Sequence, residues 1–153
     1  MIDPMSHEVV RFYSVTAEYG EFSNFSLYPI VLGGRRWPTS EHYFQAQKFV
    51  DAVTQEEIRR AGSPAVAAQR GRDRRRKLRR DWERVKLGVM RQAVEAKFRQ
   101  HDELRSLLLG TGDAMLVEHT ENDDYWGDGG DGTGANHLGR ILMAVRSVLR
   151  TPG

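Results

Sequence analysis

The segment SEHYFQAQKF, residues 40–49, sets a carboxylate, an amide and an amine four and then three positions apart: Glu41, Gln45 and Lys48. On a helix that spacing places all three on one face, because four and seven residues nearly complete one and two turns. Glu41 and Lys48 would then stand about 10 Å apart along the axis at about 1.5 Å per residue, with room for a sugar ring between their side-chain ends. A carboxylate and an amine facing one ring can stabilise positive charge, move protons or supply a nucleophile. The same residues also fit a plainer reading, in which Glu41 favours the positive end of the helix and Lys48 is a solvated cation. His42 reads as a structural histidine. The chain has no cysteine and no second His or Cys at metal spacing, so no metal site is expected.

A second group lies in NDDYWGDGGDGTGAN, Asn122 to Asn136. Gly127, Gly129 and Gly132 match G-x-G-x-x-G, but no clear long strand precedes them, which argues against a dinucleotide fold. A calcium loop counted from Asp124 fails at its twelfth position, which is Ala135 rather than Glu. The composition suggests a flexible acidic loop running into a helix N-terminus whose free N–H groups would suit phosphate. Asn136 is then either an ordinary N-cap or a binding residue. Asp123 or Asp124, beside Trp126, is a candidate carboxylate next to an aromatic surface that could stack on a base or ribose. In GEFSNF, residues 20–25, Asn24 sits between two Phe residues, placed to bind a ligand hydroxyl or to cap a turn.

These groups need elements to hold them. Val9 to Tyr13 is β-branched and aromatic and reads as a strand. Tyr28 to Trp37 reads as a hairpin around Gly33-Gly34, which tolerate the positive φ angles of a tight turn. Pro38-Thr39-Ser40 supplies cap candidates for a helix running to about Val50. Short helices are expected at Thr54–Ala61, Pro64–Arg70 and Glu103–Leu109, and a longer one at Asp81–Gln100. Met115 to Val117 reads as a short strand. A last helix starts near Asn136, with Leu138, Ile141, Leu142, Val145, Val148 and Leu149 forming one apolar stripe that reads as core. The expected fold is mainly α with a small β element near the N-terminus.

Composition bounds the function. The chain has 153 residues, 39% of them hydrophobic and 29% charged, which suits one globular domain and is too apolar for a disordered chain. Without cysteine, disulfides, thiolate metal sites and a cysteine nucleophile are excluded. No run of 18 apolar residues occurs, and MIDPMSHEVV has no basic region followed by an apolar run, so neither a spanning helix nor a secretory signal is expected. The net charge is only +2, yet eight of the eleven residues from Arg70 to Arg80 are Arg or Lys. That run could hold phosphate electrostatically, or simply be a solvated face. It suits phosphate better than the acidic loop does. Of the 23 cations, only Lys48, Lys77, Lys86 and Lys97 are lysines, which draws attention to each.

The pieces GEFSNF, PTSEHYFQAQKF, SPAVAAQRGR, DWERVKLGVM, EAKF, LLLGTGDAMLVEHT, DDYWGDG and GANHLGRILMAVR occur in this order over about residues 11–149. Together they resemble the YbiA-like, or NADAR, family. The resemblance implies an orthogonal, mainly α domain over residues 9–150; residues 1–8 are expected, separately, to be a leader or disordered stretch. It implies N-glycosidase activity on a phosphorylated ribose, needing no cofactor. Two substrate classes follow from it: a ribosylamino-pyrimidine phosphate of riboflavin synthesis, and an ADP-ribosyl group on guanine in nucleic acid. Carried over by motif, Glu41, Lys48 and Asp123 are the catalytic candidates. Asn24, Phe25, Trp126, Gly127 and Asn136 are the substrate-binding candidates. Gly129-Gly130-Asp131-Gly132 departs from the family pattern in its glycine content. A cytoplasmic enzyme with no membrane partner is expected. The competing readings are a non-catalytic ADP-ribose or nucleotide-binding module, and a DNA-binding protein using Arg70–Arg80, although no DNA-reading motif is visible.

Overall fold

The computed structural model describes residues 8–151; the stretch read as a leader lies, apart from its last residue, outside the described residues. In chain order the elements are β1 (Val9–Phe12), a 3-10 turn (Gly20–Phe22), β2 (Ile30–Leu32), β3 (Arg35–Trp37), α1 (Ser40–Ala46), α2 (Ala52–Arg59), α3 (Pro64–Gly71), α4 (Trp82–Gln100), α5 (Asp102–Gly110), β4 (Met115–Glu118) and α6 (His137–Arg150). This is the expected mainly α fold with few short strands. The chain forms two compact units, one being Asn24–Gln100 and the other the residues on either side of it.

In the unit Asn24–Gln100, β2 and β3 form the expected antiparallel hairpin, with Ile30 opposite Trp37 and Leu32 opposite Arg35. Gly33 and Gly34 both take positive φ, 62° and 76°, as a two-residue primed turn requires. Helix α1 begins at Thr39, whose hydroxyl accepts from the His42 N–H at 3.2 Å. Asp51 caps α2 and Ser63 caps α3, which has Pro64 in its first turn. Helix α1 packs against α2, α3 and α4. Ile30, Trp37, Ala46, Phe49 and Ile58 meet in one core cluster.

Helix α1 does not reach Val50. It stops at Ala46, and the next amides bond three residues back, Lys48 N–H to Gln45 O at 3.3 Å and Phe49 N–H to Ala46 O at 3.2 Å. The tightened turn lets Phe49 enter the core and frees Asp51 to open α2. Lys48 therefore leaves from a turn, not from the helix face.

In the other unit, β1 pairs with β4 in parallel, Val9 opposite Met115 through Phe12 opposite Glu118. The strand foreseen near the N-terminus thus finds its partner far along the chain. Helix α6 packs on β4 and α5. Its stripe is core as expected: Leu138, Ile141, Leu142, Val145 and Leu149 are buried, and Val148 is half-buried. Among the described residues, no helix is long and apolar enough to cross a membrane.

Candidate active site

Six of the seven residues of α1 are buried, and four of those side chains are polar: Ser40, Glu41, His42 and Gln45. Lys48, just beyond, is also buried, at 8% exposure. Burying polar groups is unfavourable unless each finds a partner. Three of them do so in plainly structural ways. Ser40 Oγ donates to Asn24 Oδ1 at 2.8 Å. His42 Nε2 donates to Ala61 O at 3.0 Å, which leaves Nδ1 to accept from the Thr39 hydroxyl at 2.8 Å. Burial lowers the His42 pKa against the raising effect of the Ala61 carbonyl, so the ring is neutral and structural. Gln45 Nε2 donates to Glu41 Oε1 at 2.7 Å, the contact its i,i+4 spacing foretold. Gln45 Oε1 is buried without a hydrogen-bond partner among the described residues.

Lys48 is held differently. Its Nζ has a long 3.5 Å contact to Gly71 O and lies 5.9 Å from the centre of the Phe44 ring. Gly71 lies tight against α1: a Cβ there would come within 2.7 Å of Gln45 Cδ. Burial lowers the Lys48 pKa to about 8; the Glu41 carboxylate opposes this, and Arg74, Arg72 and Lys86 add to it. The result is a buried amine with a carboxylate in its field, sharing that field with further cations. Such an amine is partly neutral near neutral pH and can act as a nucleophile.

Asn24 is buried and engaged within its unit. Besides the bond from Ser40, its Nδ2 lies 3.2 Å from Met90 Sδ, and its carbonyl accepts from the Glu41 N–H at 3.3 Å. It positions the start of α1 rather than capping a local turn. Phe25, the neighbouring candidate, is exposed at 37%.

The loop carrying the other candidates is not the flexible lead-in that its glycine content suggested. Asp123 Oδ1 accepts from the Tyr125 and Trp126 amides at 2.9 and 2.8 Å. The loop folds back so that its own carbonyls take the amides at the start of α6: His137 N–H bonds to Tyr125 O at 3.0 Å and Leu138 N–H to Trp126 O at 3.0 Å. Those amides are therefore not available to a phosphate. Asn136 is not an ordinary N-cap. It takes a left-handed φ of 54° and makes no side-chain cap bond; instead Oδ1 accepts from the Glu118 N–H at 3.0 Å and Nδ2 donates to Leu116 O at 2.9 Å. Gly127 is buried, and a Cβ there would lie 2.8 Å from Glu118 O and 2.9 Å from Asp123 O, so close backbone packing requires glycine. Trp126 is half-buried, edge-on to Tyr125 with ring centres 4.9 Å apart.

One acid escaped the reading of the sequence. Asp128 is buried, with His119 Nδ1 at 2.8 Å from Oδ2 and the Thr120 and Gly130 amides donating to Oδ1 at 3.1 and 2.9 Å. Burial pushes its pKa up, but the His119 ring and the two amides outweigh this and hold it below the ordinary value. It is the organising carboxylate of the loop. Only its position two residues after Trp126 distinguished it from its acidic neighbours. Among the described residues, no group of three or more His, Asp or Glu could hold a metal ion.

With Ser40, His42 and Gln45 engaged structurally, the Lys48 amine, buried and with a lowered pKa in the field of Glu41, is the group of this unit that chemistry could use. The chain belongs to the NADAR domain family, whose model matches residues 11–150, and it is an enzyme of the N-glycosidase class. It is 60% identical over 145 residues to the N-glycosidase YbiA of Escherichia coli (strain K12), covering 95% of this chain and 91% of that protein. The NMR structure of E. coli YbiA matches it with a TM-score of 0.88 over 95% of this chain and 87% of that one. N-glycosidase Npun_R5314 of Nostoc punctiforme is 48% identical, covering 92% of each chain. A riboflavin biosynthesis protein of Vibrio vulnificus, VVA0006, is 45% identical over 92% of this chain, which spans 38% of that longer protein.

Proposed function

We propose that this protein hydrolyses the C1–N bond between a phosphorylated ribose and a nitrogenous base, with Lys48 as nucleophile. The observation that carries this reading is the buried Lys48 amine, lowered to about 8 and lying in the field of the Glu41 carboxylate. At pH 7.5 roughly a quarter of such an amine is neutral, against about one part in a thousand for an ordinary lysine. The Nζ lone pair attacks ribose C1 as the C1–N bond breaks, and the base leaves with a proton passed from Nζ through the Glu41 carboxylate. The C1–O4′ bond then opens, the second Nζ proton passes to O4′, and C1 and Nζ are left joined as an imine. Water then hydrolyses the imine to free sugar phosphate and the lysine amine. Glu41 stabilises positive charge at C1 and carries protons, held in orientation by Gln45. By their match to the family motif, Asp123 is a second candidate carboxylate and Trp126 a candidate aromatic surface for the base.

The substrate class is a ribosylamino-pyrimidine phosphate, which the name of the Vibrio relative favours, or an ADP-ribosyl group on guanine, free or in nucleic acid. Both present the same bond and a nearby phosphate. The matching of one family model across residues 11–150 supports treating 9–150 as one functional domain, and a cytoplasmic setting suits both substrates. The test is to incubate the protein with each substrate under identical conditions and to measure released base and sugar phosphate. Release from at least one is expected; binding to both with release from neither would refute the reading.

A further inference from the structure

The basic run is not one surface. Its chain is fastened to residue 48 at both ends. Gly71 O faces Lys48 Nζ at 3.5 Å, and the Arg79 N–H donates to Lys48 O at 2.8 Å. The segment between therefore arches past the Lys48 backbone and side chain. Several of its cations are committed to structural partners. Arg70 Nη1 donates to Glu57 O at 2.7 Å. Arg75 forms a two-pronged pair with Asp73, at 3.2 and 2.8 Å to Oδ2. Arg76 Nη1 donates to Thr54 Oγ1 at 2.9 Å, and Arg79 pairs with Asp81 at 2.6 Å.

Of the cations of the run without a committed partner, Arg72 and Arg74 stand nearest to Gly71 in the chain. Both are exposed, and among the described residues neither guanidinium has a hydrogen bond or ion pair. Both nonetheless act electrostatically on the Lys48 amine. Arg72 directly follows Gly71, the residue in contact with that amine. The segment that runs past the amine thus carries two guanidinium groups of like charge to it and without a counter-ion. An anion bound there supplies that counter-ion, and guanidinium groups match phosphate oxygens in geometry and charge.

We propose that Arg72 and Arg74 form the subsite for the phosphate ester of the substrate's ribose, beside the Lys48 amine. This deepens the glycosidase reading and rests on it for the identity of the sugar. The anion is either a terminal phosphomonoester or the diphosphate of an ADP-ribosyl group. Arg75 and Arg76, although adjacent in sequence, are structural.

The probes are ribose 5-phosphate, ADP-ribose and unphosphorylated ribose, titrated calorimetrically into the full chain and into Arg72→Ala, Arg74→Ala, the double variant and Arg75→Ala. The double variant should bind at least one phosphorylated probe about tenfold or more weakly, with Arg75→Ala unchanged. The more weakened probe distinguishes monoester from diphosphate. Turnover should show a raised KM with kcat altered less than about threefold. The subsite is overturned if the wild-type chain binds neither phosphorylated probe more tightly than ribose, or if the double variant binds them as the wild type does. Phosphate-dependent binding without base release would instead keep the subsite and defeat the glycosidase reading. Equal losses in Arg75→Ala and the double variant would reduce the effect to general charge and overturn the assignment.

Discussion

A lysine held near pKa 8 leaves two signatures. The first is in stability. The Lys48 pKa is about 8 in the folded chain against 10.5 for the ordinary group. Below pH 8 both states carry the proton, and the unfavourable burial of the charge is fully present. Between about pH 8 and 10.5 the folded state sheds the proton while the unfolded state keeps it, so stability rises with pH in that window. The full rise is about 3 kcal/mol by the usual conversion of about 1.36 kcal/mol per pKa unit. Urea unfolding at pH 7.5 and 9.5 should show part of this gain in the wild type and none of it in Lys48→Met. The second signature is catalytic. Glu41→Gln preserves an acceptor for Gln45, and Asp123→Asn preserves the Oδ1 that binds the Tyr125 and Trp126 amides. Each should lower kcat by about 10²–10⁴ while unfolding free energy moves by less than about 1 kcal/mol. Near-normal turnover in either variant would remove that carboxylate from the chemistry. Glu41 and Gln45 were legible as a pair from their spacing; the position of Lys48 was not, because the helix ends before it. Asp128 was not, because its role comes from burial and from partners at positions 119, 120 and 130, which carry no periodic signal.

At the scale of elements, local chemistry was a good guide wherever the element is set by its own residues. The hairpin was marked by Gly33-Gly34, α3 by Ser63-Pro64, and α4 and α6 by apolar residues at helical spacing. The end of α1 was hidden because Phe49 leaves the helix for a core built by distant residues. The order in the Asn122–Asn136 loop was hidden for a related reason. Its glycines suggest freedom, but Gly127 and Gly134 are demanded by close backbone approach, and Gly129, Gly130 and Gly132 by positive φ. Asn136 secures the junction of loop and helix through both ends of its amide. Asn136→Ala removes both bonds to β4 and puts a Cβ-bearing, non-hydrogen-bonding residue at φ 54°, so a loss of about 2–4 kcal/mol is expected. Asn136→Gly relieves only the backbone part and should lose less. Chemical denaturation of the three proteins checks this order; an alanine variant as stable as the wild type would show that the loop does not depend on this amide.

Across the whole molecule, a net charge of +2 conceals a local concentration of cations at residues 70–80 and of carboxylates at residues 121–131. The helical character was readable from periodicity, whereas the parallel pairing of β1 with β4 was not, because strands this short and this far apart carry no pairing code. Family membership accounts for the class of reaction; the proposal assigns its chemistry to the buried Lys48 amine in the field of Glu41. The most direct measurement is borohydride reduction during turnover of the phosphoribosyl substrate, followed by peptide mass spectrometry. Covalent catalysis requires a reduced sugar-phosphate adduct on Lys48 that is absent from Lys48→Arg. Full turnover with no adduct at Lys48, or a Lys48→Arg variant as active as the wild type, would contradict it.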